Sequence, residues 1–129
     1  MKYILSICIA MLVTLTHVNA QTAQEAKELR HVVLFGFTET TTPAQIAEIE
    51  AAFTALPTKI SEVKGYEWGT DCSPEGLQKG HTHCFFVTFN SNADRDAYLI
   101  HPAHKAFGKL IKGKVKSVTV IDYWIKDKI

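Results

Sequence analysis

Excess charge of either sign is missing from this 129-residue chain, where fourteen Lys and Arg stand against thirteen Asp and Glu. There is no basic stripe and no run of aromatics with arginine, so the chain offers no footprint for nucleic acid. Cysteine is scarce, and only Cys72 and Cys84 lie beyond the first twenty residues. No dense Cys/His/Asp cluster supplies three or four converging ligands, so no metal and no other cofactor is expected. Internal repeats and low-complexity segments are absent. No apolar run is long enough for a comfortable membrane span. Proline is sparse, and Pro43, Pro57, Pro74 and Pro102 each fall where a regular element should start or stop. What remains is a chain of 47% hydrophobic residues, enough for one domain with a real core.

Residues 1–20 read as a secretory signal. Lys2 supplies the positive start, Ile4 to Leu15 the apolar centre and Val18-Asn19-Ala20 a cleavage site after Ala20. An uncleaved anchor is the alternative. Cleavage would remove Lys2 and leave thirteen basic and thirteen acidic side chains. The mature protein is then secreted or periplasmic, with no stable membrane span. In that compartment a Cys72–Cys84 bridge could close the intervening Gly- and Pro-containing loop, while a small buried thiol is equally natural at Cys84.

Residues 21–29 form a polar arm, and residues 30–126 form the domain. Arg30 to Phe37 is a strand with His31, Val33, Phe35 and Phe37 on one face. Thr42-Pro43-Ala44-Gln45 is a capping box with proline at the first helical position. The helix it opens runs to about Leu56, buries Ile46, Ile49, Phe53 and Leu56, and ends at Pro57. Tyr66 to Asp71 is a short strand, and Cys72 to Gly80 a loop. His81 to Phe89 is a third strand, placing His81, His83, Phe85, Val87 and Phe89 on one face. Ser91 caps the second helix, which meets a break at Pro102, resumes through Ile111 and stops at Gly113. Lys114 to Ile125 is the last strand.

Strand, helix, strand, strand, helix, strand is the split βαβ arrangement, an α+β ferredoxin-like subunit with both helices on one sheet face. Its other face is also largely apolar. A homodimer joined through the open sheet faces would cover it.

The run Tyr98-Leu-Ile-His-Pro-Ala-His104 concentrates the chemistry. Pro102 disfavours helix at His101 and can start a new one, so the break directs where His101 and His104 point. Histidine exchanges protons near neutral pH, and a phenol both donates and accepts. The same residues also read as a capped helix junction with hydrogen-bonded histidines.

Four stretches carry a family resemblance: His31 to Phe37, Thr82 to Phe89, Tyr98 with His101-Pro-Ala-His104, and Ile121-Asp-Tyr123. Together they resemble the stress-responsive A/B barrel (Dabb) domain, over about residues 30 to 125. The resemblance implies a dimeric α+β barrel of two ferredoxin-like subunits. One branch of that family comprises plant polyketide cyclases. Likeness to it implies catalytic roles for Tyr98 and His104 in an aldol-type condensation without a cofactor, with His31 and His83 lining the pocket.

Were the odd-numbered strand face turned to the helices, His31, His83 and His101 would join Tyr98 and His104 around a cavity walled by Val33, Phe35, Phe85, Ile49 and Phe53. Two functions follow. One is an exported Dabb protein that binds a small apolar or aromatic compound, with a stress-related role. The other is a cofactor-independent lyase or cyclase using Tyr98 and His104 as its acid/base pair.

Overall fold

The computed structural model describes residues 27–126, so the expected signal and all but the end of the polar arm lie outside the described residues. Strand β1 (Leu29–Phe37) leads to helix α1 (Pro43–Thr54), a single turn α2 (Leu56–Lys59) and strands β2 (Gly65–Thr70) and β3 (His83–Phe89). Helices α3 (Asn92–Ile100) and α4 (Pro102–Ile111) and strand β4 (Val115–Trp124) complete the chain. The sheet order is β2-β3-β1-β4, and every neighbouring pair is antiparallel. This is the expected ferredoxin-like fold.

Local chemistry sets the boundaries. Thr42 accepts from the Gln45 backbone N–H while the Gln45 side chain accepts from the Thr42 N–H, closing the capping box. Helix α1 stops at Thr54, two residues before the expected end, because Pro57 cannot donate in an interior turn. Pro57 instead sits in the first turn of α2, where its missing N–H costs nothing. Gly113, at φ +77°, takes the left-handed step after α4. Strand β3 begins at His83, not His81. His81 lies in the preceding loop, its ring bonded to the Gln78 carbonyl and the Thr119 hydroxyl.

The odd-numbered face of β1 and β3 does turn to the helices. His31 pairs with Val87, Val33 with Phe85, and Phe35 with His83, and all six are buried. Phe53 descends from α1 to stack on Phe85 at 4.2 Å with nearly parallel rings, and Phe107 from α4 meets it edge-on at 4.9 Å. Each such pair adds about 0.5–1.5 kcal/mol beyond its area burial. Phe35, Phe53, Phe85 and Ile49 are therefore the packed core between sheet and helices.

The helices leave the Val118–Val120 stretch of β4 open. Val118 and Val120 lie opposite Phe35 and Val33 on the helix side, yet both are 50% exposed while their partners are buried. On the opposite face Val32, Leu34, Cys84 and Phe86 are half-buried, and Ile121 and Tyr123 are exposed. Among the described residues no layer covers that face.

The ladder also answers the cysteine question. Cys84 pairs with Gly69, three residues short of Cys72. That is about 10 Å along a strand, beyond the roughly 7 Å reach of a disulfide. Both thiols are free. At Gly36 a Cβ would sit 2.6 Å from the Gly80 carbonyl oxygen and 2.6 Å from the Ser117 hydroxyl, so only glycine fits between the 71–82 loop and β4.

Candidate active site

Helix α3 ends at His101, whose extended backbone (φ −60°, ψ 139°) is the turn that Pro102 demands. The His101 Nδ1 accepts from the Ala103 N–H at 3.1 Å and caps α4. His101 is thus the joint of the two helices. The break leaves carbonyls at the end of α3 without intrahelical donors. His104, in the first turn of α4, reaches back to one of them: its Nδ1 lies 3.1 Å from the Leu99 carbonyl oxygen. A carbonyl only accepts, so Nδ1 carries the hydrogen and Nε2 keeps its lone pair in the neutral ring.

Tyr98 occupies the last turn of α3 and is 1% exposed. Its ring centroid is 4.5 Å from that of His104, 5.8 Å from that of His31 and 5.1 Å from that of Phe89. Burial pushes the phenol well above its ordinary pKa, so it stays a protonated donor. Burial also lowers the pKa of His104. The Leu99 carbonyl opposes that shift, and the nearby His31 adds to it. At neutral pH the pair is a neutral base beside an un-ionised acid.

His31 is buried on β1 and donates from Nδ1 to Asp122 Oδ1 at 2.7 Å. The second Asp122 oxygen accepts from Arg95 Nη1 at 2.9 Å, and Arg95 also bonds Asp96. These bonds to Asp122 and Asp96 hold the Arg95 guanidinium above its ordinary pKa. Arg95 is on α3, so the pair ties the helix bearing Tyr98 to the strand beside His31.

The structure thus brings together Tyr98, His104 and His31, and sets His83 apart. His83 lies four residues along β3 from Val87, the partner of His31. That is about 13 Å. It is held there by Glu50 at 2.9 Å through Nε2 and by the Thr82 hydroxyl at 2.8 Å through Nδ1. Phe35, Phe53 and Phe85 fill the sheet–helix interface with their stacked rings, and Ile49 and Val33 pack with them. Among the described residues no group of three His, Cys, Asp or Glu converges as a metal site would require.

Four partners went unread at the sequence level: Leu99, Asp122, Arg95 and Glu50. Asp122 carried a usable signal, since it continues the face of Val118 and Val120 as one acid on an apolar strand. The Glu50–His83 contact carried none, because it depends on how α1 lies over β3.

Residues 29–125 match the family model described as Stress responsive A/B Barrel Domain, or Dabb. The chain belongs to the Dabb family. It is 38% identical over 101 residues to the stress-response A/B barrel domain-containing protein HS1 of Arabidopsis thaliana, covering 78% of this chain and 93% of that protein. It is 30% identical over 95 residues to olivetolic acid cyclase of Cannabis sativa, covering 74% and 94%. Hydroxynitrile lyase from Passiflora edulis superposes with a TM-score of 0.75 at 28% identity, covering 81% of this chain and 98% of that one. A dimeric ferredoxin-like protein of unknown function from Thermobifida fusca gives 0.66 at 26% identity, covering 78% and 93%. The proteins this chain is similar to thus include one named as a cyclase and one named as a lyase.

Proposed function

We propose that this Dabb chain binds a small apolar or aromatic carbonyl compound beside Tyr98 and His104 and acts on it as a lyase or cyclase by proton transfer alone. The observation that carries the reading is the orientation of His104. Its Nδ1–H is committed to Leu99 and its Nε2 lone pair is left to the reaction, next to a phenol that burial keeps protonated. In the condensing direction Nε2 takes a proton from the carbon next to a carbonyl, that carbon bonds to a second carbonyl carbon, and the Tyr98 hydroxyl donates to the oxygen on which charge develops. In the cleaving direction Nε2 takes the proton of a hydroxyl, its carbon–carbon bond breaks to leave a carbonyl, and the departing carbon takes a proton back. The base is worth about 10²–10⁴-fold in rate and the donor to the oxyanion about 10²–10³-fold.

In this reading the apolar part of the ligand lies on β4. Val118 and Val120 form an uncovered strip on the helix side of β4, and the next residue on that face is Asp122, the partner of His31. A hydrocarbon lying on this strip would reach the polar cluster at its end. His31, held by Asp122, is the third ligand-facing group. His101 joins the two helices that carry the pair, while His83 stands apart on Glu50.

The uncovered face bearing Val32, Leu34, Phe86, Ile121 and Tyr123 is the surface on which a second copy packs in this reading. The dimeric relative from Thermobifida fusca supports that reading. Export through the N-terminal signal completes it.

The test uses residues 21–129 with small aromatic, β-keto and α-hydroxynitrile compounds, scored by thermal shift and by turnover. Stabilisation with turnover that is lost in Tyr98→Phe and His104→Ala is the expected result. Stabilisation without turnover would reduce the protein to a carrier. Turnover that survives both substitutions would remove the two residues from the chemistry.

A further inference from the structure

A second groove lies away from this site, between the outward face of α1 and the edge strand β2. It is a shallow, open groove of about 520 Å³, and Ala47, Ala51 and Thr54 line it together with Glu50 and Trp68. Trp68 is 39% exposed, so a large aromatic surface faces outward from the sheet edge. The indole is nonetheless held in place, lying 5.7 Å from Phe85 and 6.1 Å from His83 with nearly parallel rings. Glu50 is equally fixed. One carboxylate oxygen accepts from His83 Nε2, and Thr82 occupies the other imidazole nitrogen. The second Glu50 oxygen enters no hydrogen bond among the described residues. Glu50 is the one charged residue in the lining, which contains no base.

A fixed aromatic ring, a fixed carboxylate and a wall of methyl groups are what an alkylammonium group requires. The ring quadrupole and the carboxylate attract the charge, and the alanines pack the alkyl substituents. A metal ion would need several more oxygen ligands than one carboxylate supplies. We propose that the groove between α1 and β2 binds a small organic cation, with its ammonium head over Trp68 and against Glu50. The site is independent of the Tyr98–His104 chemistry.

The chain contains two tryptophans. In a Trp124→Phe background, Trp68 alone reports by fluorescence. Choline and phenyltrimethylammonium are the probes, and 3,3-dimethylbutan-1-ol is the uncharged control of similar shape. The expected result is a saturable change with both cations, half-complete at roughly millimolar concentration as suits a partly open site. Glu50→Gln keeps a hydrogen-bonding partner for His83 and should weaken binding by about fivefold or more. Ala51→Leu fills the groove from an exposed helix position and should abolish binding with an unchanged circular dichroism spectrum. Tyr98→Phe should bind both cations as the parent does. An equal response to the neutral alcohol would overturn the proposal. So would the absence of saturation, or unaltered binding in Glu50→Gln.

Discussion

The Nδ1 of His104 donates to the carbonyl of Leu99 across the Pro102 break, at 3.1 Å. A carbonyl in the last turn of one helix therefore orients the imidazole of the next. That bond chooses the tautomer and leaves Nε2 unprotonated in a ring centred 4.5 Å from that of Tyr98.

Acid should switch the protein off through this ring. Burial, aided by His31, lowers the His104 pKa from the ordinary 6.5. The base form therefore dominates at neutral pH, and kcat/KM should fall only below the usual histidine range. His31→Gln removes a neighbour that lowers the His104 pKa and should move that acidic limb to higher pH. The same shift affects stability. Between the folded value and 6.5 the unfolded chain binds more protons, so this contribution is present above 6.5 and is lost as pH falls. Urea midpoints followed from neutral to about pH 5 should drop less steeply in His104→Gln than in the parent. Parallel curves would show that His104 does not contribute.

Tyr98→Phe removes one oxygen from a side chain that is 1% exposed. The ring contacts with His31, Phe89 and His104 remain, so the unfolding midpoint should hardly move. Turnover should fall by about 10²–10³-fold, the usual cost of losing one donor to a developing oxyanion. Comparing kcat with the denaturation curve of the same preparation checks both halves.

Phe53 couples α1 to β3 through its stack on Phe85 and meets Phe107 of α4. Phe53→Ala should cost about 3–5 kcal/mol. Small domains have a total stability of about 5–15 kcal/mol, so chemical denaturation should reveal a protein close to its folding limit. A loss under about 1 kcal/mol would mean that the core relaxes around the gap.

Ile121 is 55% exposed on the sheet face opposite the helices. Ile121→Glu should leave the subunit folded and convert a dimer to a monomer in light scattering after size exclusion. A variant that stays dimeric would place the contact elsewhere.

Expression of the full chain in a bacterial host with a secretion pathway should yield a periplasmic or extracellular product beginning at Gln21. Intact-mass measurement distinguishes this from a product that retains Lys2 and the apolar run.

Much of the fold was legible because its signals are local. Thr42, Pro43 and Gln45 lie within four residues of one another and dictate a helix start by themselves. Pro102 announces the break in the same way, and the alternation of β1 sorts its residues onto two faces, both largely apolar, without saying which one the helices cover. The site was legible only where it is local too. Tyr98 and His104 flank one break, whereas the histidines at 31 and 83 are assigned by register. His31 meets Asp122 across 91 residues of sequence, and His83 meets Glu50 across 33. Strand alternation says which face each occupies but not how far apart along the sheet they fall. His81 shows the opposite limit. Its spacing from His83 suggests a shared face, but the ladder begins two residues later and the loop turns His81 aside.

The crowding at Gly36 bears on how this chain tolerates change. The Tyr98 hydroxyl can be removed with its ring contacts left in place, but any side chain at position 36 meets the Gly80 carbonyl and Ser117 at once. In a saturation library selected only for soluble protein, phenylalanine would be accepted at position 98 while that glycine stayed. The most restrictive letter in the sequence then marks where a loop crosses the sheet, and counting invariant positions would misdirect a search for the reactive centre.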